Sequence, residues 1–262
     1  MDFIEYPKIN IGTYRLGINT YNSLDYALNN GYRGIDTASL YNCEHIIGNY
    51  LTKNEINRNE LWITSKLNPK IMDKTETEII NSINKTLTDL NTNYLDLYLI
   101  HCPKNDYNIK CWNILEQFYK QGIFKNIGVS NFDIQHLEDI KQFSTVPIYT
   151  NQIELSPFLK RQNVVKYMNE NNIIISAHSS LAKAEKLNDD IINNIALKYN
   201  KTTAQIMLKW GLSNNYHIMP RSSKNEHIKE NIELDFQLNK DDIIELNNHP
   251  QYYITHPQYI LS

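Results

Sequence analysis

The chain has 262 residues, 41% of them hydrophobic and 21% charged, which is room for one α/β barrel or two smaller domains. A net charge of −3 excludes the basic field that nucleic acid or an anionic membrane surface requires. The three cysteines, Cys43, Cys102 and Cys111, have no CxxC spacing and suit a reducing compartment; residues 1–8 lack a signal-peptide pattern and no apolar run reaches the length of a membrane span, so a cytoplasmic protein is expected.

Residues 8–13 alternate like a strand, with Gly12 and Thr13 at its exit. Residues 22–30 read as a helix with Leu24, Ala27 and Leu28 on one face, closed by Gly31 as a C′ glycine. The stretch 31–48, GYRGIDTASLYNCEHIIG, then holds a short apolar strand at 33–36. It presents Asp36 at the strand exit and Tyr41 in the loop beyond, before a helix over 44–51. Residues 61–66 form an apolar strand ending in Lys66. Residues 75–90 are a long amphipathic helix, with Ile79, Ile83, Leu87 and Leu90 at intervals of three and four. The strongest strand of the chain, 94–101, ends at His101 and is halted by Cys102 and Pro103.

A helix over 109–121 is stopped by Gly122, and the strand 124–130 runs into the sequence GVSNF. A helix over 133–143 follows, capped by Asn131 or Asp133. The strand 146–153 leads into NQIEL, the helix 161–171 comes next, and 173–177 is a purely apolar strand. Two helices in series, 189–199 and 202–214, precede a short strand at 217–219 halted by Pro220. Helices over 224–231 and 240–247 lead to a polar tail, 249–259.

Eight strands alternating with amphipathic helices mean a parallel sheet covered on its outer face. The expected fold is therefore α/β, a (β/α)8 TIM barrel over 1–262 in a single domain, with extra C-terminal helices. A doubly wound open sheet is the alternative, but no GxGxxG follows the first strand. Asp36, Tyr41, Lys66 and His101 stand at or just past successive strand exits, which in a barrel converge on one rim. Singly, each has an ordinary explanation as a helix cap, a loop tyrosine or a solvated lysine. Four such coincidences on neighbouring strands are improbable.

The run GYRGIDTASLYNCEHIIG, followed in order by ITSKL, LIHCP, GVSNF, NQIELSP and MPRSSKNEHIKEN, resembles the signatures of the aldo-keto reductase family along nearly the whole chain. The resemblance implies NADPH-dependent reduction of an aldehyde or ketone, with Tyr41 as proton donor. Free tyrosine, with a pKa of about 10, is a poor acid–base near neutrality. An ammonium beside it favours the phenolate; Lys66 fills that role and Asp36 orients Lys66. His101 would hydrogen-bond the substrate oxygen and fix the carbonyl.

By the same resemblance Ser130, Asn131 and Gln152 meet the nicotinamide carboxamide. Thr13, Tyr14 and Asp36 lie near the nicotinamide and its ribose, and Ser179 and Leu181 lie near the pyrophosphate. Arg221 and Ser222 grip the adenosine 2′-phosphate, and Glu230 and Asn231 bind adenine. Two positions depart from the family pattern. His178 stands where a tyrosine stacks on the nicotinamide, and His227 where an arginine serves the 2′-phosphate. Histidine is only partly charged at pH 7 and is not equivalent to arginine on phosphate. NADPH is still expected over NADH, because Arg221 and Ser222 remain.

Tyr14, His101, Trp112, Tyr252, Tyr253 and His256 are candidate walls for a small-molecule carbonyl substrate, although Trp112 lies on a helix and reads as core. A monomer with no nucleic-acid or membrane partner and no metal is expected. Two other readings compete. One is a cofactor-binding regulatory or sensor barrel with little or no turnover, as in the potassium-channel β subunits of that family. The other is a metal-dependent barrel isomerase or hydrolase, which would need more His, Asp or Glu at strand ends than Asp36 and His101.

Overall fold

A computed structural model describes residues 4–256. Residues 1–3 of the segment read for a signal peptide, and the end of the expected tail at 257–259, lie outside the described residues. Eight strands pair in chain order, every pair parallel: β1 Asn10–Gly12, β2 Gly34–Asp36, β3 Trp62–Leu67, β4 Leu97–Ile100, β5 Ile127–Ser130, β6 Thr150–Glu154, β7 Ile174–His178 and β8 His217–Ile218. The last strand returns to the first through the parallel bridge Ile9↔Ile218 and two backbone bonds, Ile218 N to Lys8 O at 2.8 Å and Gly12 N to Pro220 O at 3.0 Å. A Cβ on Gly12 would stand 2.8 Å from the Met219 carbonyl oxygen, so this closure needs glycine there.

Helices fill the crossovers: α1 Thr20–Asn29, α2 Glu44–Lys53, α3 Glu76–Asp89, α4 Asn108–Lys120, α5 Ile134–Phe143 and α6 Gln162–Glu170. After β7 come α7 Asp190–Tyr199 and α8 Thr203–Ser213, and after β8 come α9 Asn225–Glu230 and α10 Lys240–Asn247. Side chains that accept from the free N–H groups of the first turn set the starts of α3, α5, α7, α8 and α10. Thr75 and Thr202 each form a reciprocal capping box with the residue three further on. Of the two residues expected to cap α5, Asp133 does so.

Strand alternation divides the apolar residues into two layers. Trp62, Leu97 and Leu99 cluster with Tyr6, whose ring stacks on Trp62 at 4.7 Å and on His217 at 4.2 Å. The residues between them, such as Ile63, Tyr98 and Ile100, join the larger cluster with the helices, including Leu24, Ile47, Ile79 and Ile83. Lys66 shares the face of Trp62 along β3, so two residues per pleat carry it to the opposite end from Tyr6.

Apart from β3 and β7, which have the expected length shifted by one residue, the strands are shorter than their apolar runs. Residues 94–101 contribute only Leu97–Ile100 to a ladder, with Leu95 held apart by a bridge to Phe124. In a tilted barrel the ends of each run pass beyond their neighbours, and Pro147 has no N–H to donate.

Candidate active site

The site begins with a buried ion pair. Asp36 ends β2 and Lys66 lies next to last in β3, its side chain fully buried. Lys66 Nζ donates to Asp36 Oδ1 at 2.6 Å and to the Thr37 carbonyl oxygen at 2.9 Å. The other carboxylate oxygen, Asp36 Oδ2, accepts from Gln152 Nε2 at 2.7 Å. Thr13 bonds the Asp36 carbonyl through its backbone N–H at 3.0 Å and its hydroxyl at 3.1 Å. A buried charge is tolerable only when paired and hydrogen-bonded, and this pair has partners on both sides.

Tyr41 comes next, from a single 3-10 turn, Ser39–Tyr41, that ends where Asn42 turns left-handed at φ 54°. Ser39 Oγ pins the turn to the rim by donating to the Lys66 carbonyl oxygen at 2.9 Å. The Tyr41 ring lies 5.4 Å from Lys66 Nζ, measured to its centroid, and its hydroxyl is 3.5 Å from His101 Nε2, at the long limit of a hydrogen bond. The two rings meet edge to face at 5.5 Å. Burial, and then the Lys66 charge, lower the His101 pKa to about 3, so its imidazole is neutral. Its Nδ1 is buried with no hydrogen-bond partner among the described residues, leaving Nε2 as the nitrogen turned toward the phenol. Tyr14 packs its ring 5.0 Å from that of Tyr41 and is partly exposed.

A layer of amides continues the rim. Ser130 Oγ donates to the Gln152 carbonyl oxygen at 2.8 Å. Asn131, left-handed at φ 61°, donates through Nδ2 to the His101 carbonyl oxygen at 3.0 Å and to Ser130 Oγ at 3.1 Å. Its Oδ1 meets His178 Nε2 at 2.8 Å. Burial, with the neighbouring His256 adding to it, holds the His178 pKa well below the ordinary histidine value. His178 therefore stays neutral, with Ser179 Oγ on its other nitrogen at 3.1 Å.

The remaining expected positions follow β8. Arg221 is exposed beside Gly12, while Ser222 is buried and accepts from Lys224 N at 3.0 Å. His227 is exposed on α9, Glu230 is half-buried and Asn231 is buried. Tyr32 fixes this helix to the barrel by donating to the Ile228 carbonyl oxygen at 3.0 Å. Leu181 is half-buried in the loop after β7. Amide groups around a rim, with an arginine, a serine and a histidine on a separate arm, are a donor set suited to a ligand with an amide at one end and an anionic group at the other.

Among the candidate walls, Trp112 is buried in α4 and donates to Glu116 Oε1 at 3.0 Å. The tail reaches the rim instead, where the His256 ring meets His178 edge to face at 5.7 Å. Tyr253 bonds Glu185, and Tyr252 is largely exposed. Glu154 was not singled out by the sequence, although period-two alternation along β6 puts it on the face of Gln152. Its buried carboxylate accepts from Thr255 N at 2.7 Å and His256 N at 3.0 Å. Burial pushes its pKa above the usual carboxylate range, against the pull of those donors. Among the described residues, no group of three or more His, Cys, Asp or Glu side chains could hold a metal ion, and no helix is long and apolar enough to cross a membrane.

Residues 8–250 match the model of the aldo/keto reductase family. The chain is 34% identical over 247 residues to glyoxal reductase of Bacillus subtilis, covering 93% of this chain and 89% of that protein. It is 35% identical over 242 residues to methylglyoxal reductase DkgB of Escherichia coli, covering 90% of each. Among solved structures it is similar to an aldo-keto reductase enzyme from a Medee basin deep-sea metagenome library, with a TM-score of 0.89, 32% identity and coverage of 96% of this chain and 95% of that one.

Proposed function

The chain belongs to the aldo/keto reductase family, and from that premise we propose that it reduces small dicarbonyls such as methylglyoxal and glyoxal to hydroxy-carbonyls, with NADPH as the preferred cofactor. The observation that carries the reading is the convergence of a buried Asp36–Lys66 pair, the Tyr41 phenol and the neutral His101 imidazole on one rim. A bound nicotinamide supplies the hydride to the carbonyl carbon.

The chain's own groups then manage the oxygen. Neutral His101 donates from Nε2 to the carbonyl oxygen, fixing its direction and stabilising negative charge as it develops. Tyr41 gives the phenolic proton to the same oxygen. The ammonium of Lys66 favours the phenolate left behind. Asp36 balances that ammonium, and Gln152 holds the second carboxylate oxygen so that the pair keeps one orientation. Ser130, Asn131 and His178 are the groups on which the nicotinamide end would rest. Arg221, Ser222 and His227 would take the 2′-phosphate, with histidine in place of arginine relaxing the preference.

Purified protein mixed with methylglyoxal or glyoxal tests the reading through nicotinamide absorbance. Carbonyl-dependent oxidation, faster with NADPH than with NADH, is expected. No oxidation of either cofactor with any member of a panel of aldehydes, ketones, quinones and sugars would overturn it.

A further inference from the structure

The tail after α10 is held by two rim loops at once. From the loop after β6, Lys160 Nζ donates to the His249 carbonyl oxygen at 2.8 Å, and the Phe158 carbonyl oxygen accepts from Tyr253 N at 3.2 Å. From the loop after β7, Lys183 Nζ donates to the Thr255 carbonyl oxygen at 2.7 Å, Glu185 takes the Tyr253 hydroxyl, and Asp189 meets His249 Nε2 at 3.0 Å. That second loop carries left-handed backbone at Ser179, Ala182, Lys183 and Ala184, a conformation that persists only where surrounding contacts hold it. Both oxygens of Glu154 close the arrangement on the amides of Thr255 and His256.

We propose that Glu154 is a positioning residue for carbonyl reduction: it latches the tail across the rim so that His256, seated on His178, walls the substrate site. The inference rests on the reductase reading. Its distinctive feature is that Glu154 reaches the substrate only through the tail. A carboxylate suits the task because both of its oxygens accept, and two adjacent backbone N–H groups need two acceptors. The wall is aromatic, one imidazole ring set edge to face on another, and presents a flat surface to a small carbonyl.

Glu154→Gln tests this, because its amide sets an N–H against one of the two backbone donors while keeping size and shape. Hydrogen exchange of the segment 249–256 should accelerate about tenfold, the measure of one lost charge-assisted bond. KM for methylglyoxal should rise by about the same factor with kcat within about twofold, since the wall's contact is lost equally from the bound substrate and the transition state. In a double variant with His256→Ala, the KM effects should not multiply. Lys183→Met, which frees the same turn from the other loop, should reproduce the exchange and KM changes in weaker form, and serves if Glu154→Gln fails to fold. Unchanged exchange, faster exchange with unchanged KM, or multiplicative KM effects would each overturn the latch. Absence of turnover in the unsubstituted protein would instead sink the reductase reading, which the exchange measurement does not depend on.

Discussion

His101 illustrates how far a single residue's chemistry follows from its surroundings. A free histidine titrates near neutrality, but burial beside the Lys66 charge lowers this one to about 3. Its protonation lies far below the working range, so the pH profile of kcat/KM between pH 5 and 8 should show no break from His101. Only as pH falls toward 3 does the ring take a second proton, on Nδ1, and become charged. A His101→Gln variant that abolished a break in that range would contradict the assignment. On the cofactor arm, Arg221→Ala should weaken NADPH at least about tenfold, as loss of a charge-assisted contact implies, and leave NADH nearly unchanged. Titration of each cofactor checks this, and equal losses would remove the 2′-phosphate role. The residues that converge on the rim were legible because each stands at or just past a strand end. The Glu154 contact to Thr255 was not, because it joins positions 101 residues apart and depends on where the tail returns.

At the scale of elements, the helix starts were the most readable features, since caps and capping boxes are local chemistry. Thr75→Ala should cost about 1 kcal/mol of stability by removing the α3 cap, measurable by urea unfolding. The start of α2 holds a longer-range feature. Glu44 accepts from Ser65 Oγ at 2.5 Å and Thr86 Oγ1 at 3.1 Å, joining α2 to β3 and α3. Burial raises its pKa from 4.5 to about 7. The folded state therefore holds this proton more tightly than the unfolded chain. The resulting stability is complete below pH 4.5 and is lost as pH rises through 7, by an amount on the order of a few kcal/mol. Melting temperature measured from pH 5 to 8 should fall more in the parent than in Glu44→Gln; parallel curves would refute it. A sequence offers Glu44 only as a helix-start acid, because its burial depends on two neighbouring elements. The limits of most strands were likewise read too long, though β3 and β7 have the expected length shifted by one residue, since alternation marks what is apolar and pairing depends on barrel tilt.

For the whole molecule, eight β–α units bring side chains from distant parts of the chain to one rim, and the order of units alone was enough to expect a barrel. Closure rests on details that period and composition do not carry, such as the approach of Gly12 to the Met219 carbonyl. Because the proposed chemistry draws on a phenol, an imidazole and an ammonium, dialysis against EDTA should leave turnover unchanged; its loss would revive a metal-dependent mechanism. The central claim is that Tyr41 protonates the carbonyl oxygen. Methylglyoxal-dependent NADPH oxidation by Tyr41→Phe, with NADPH affinity titrated on the same sample, tests it most directly. The account predicts a fall in kcat of about 10²–10⁴-fold with affinity nearly intact. Turnover at the parent rate would contradict it.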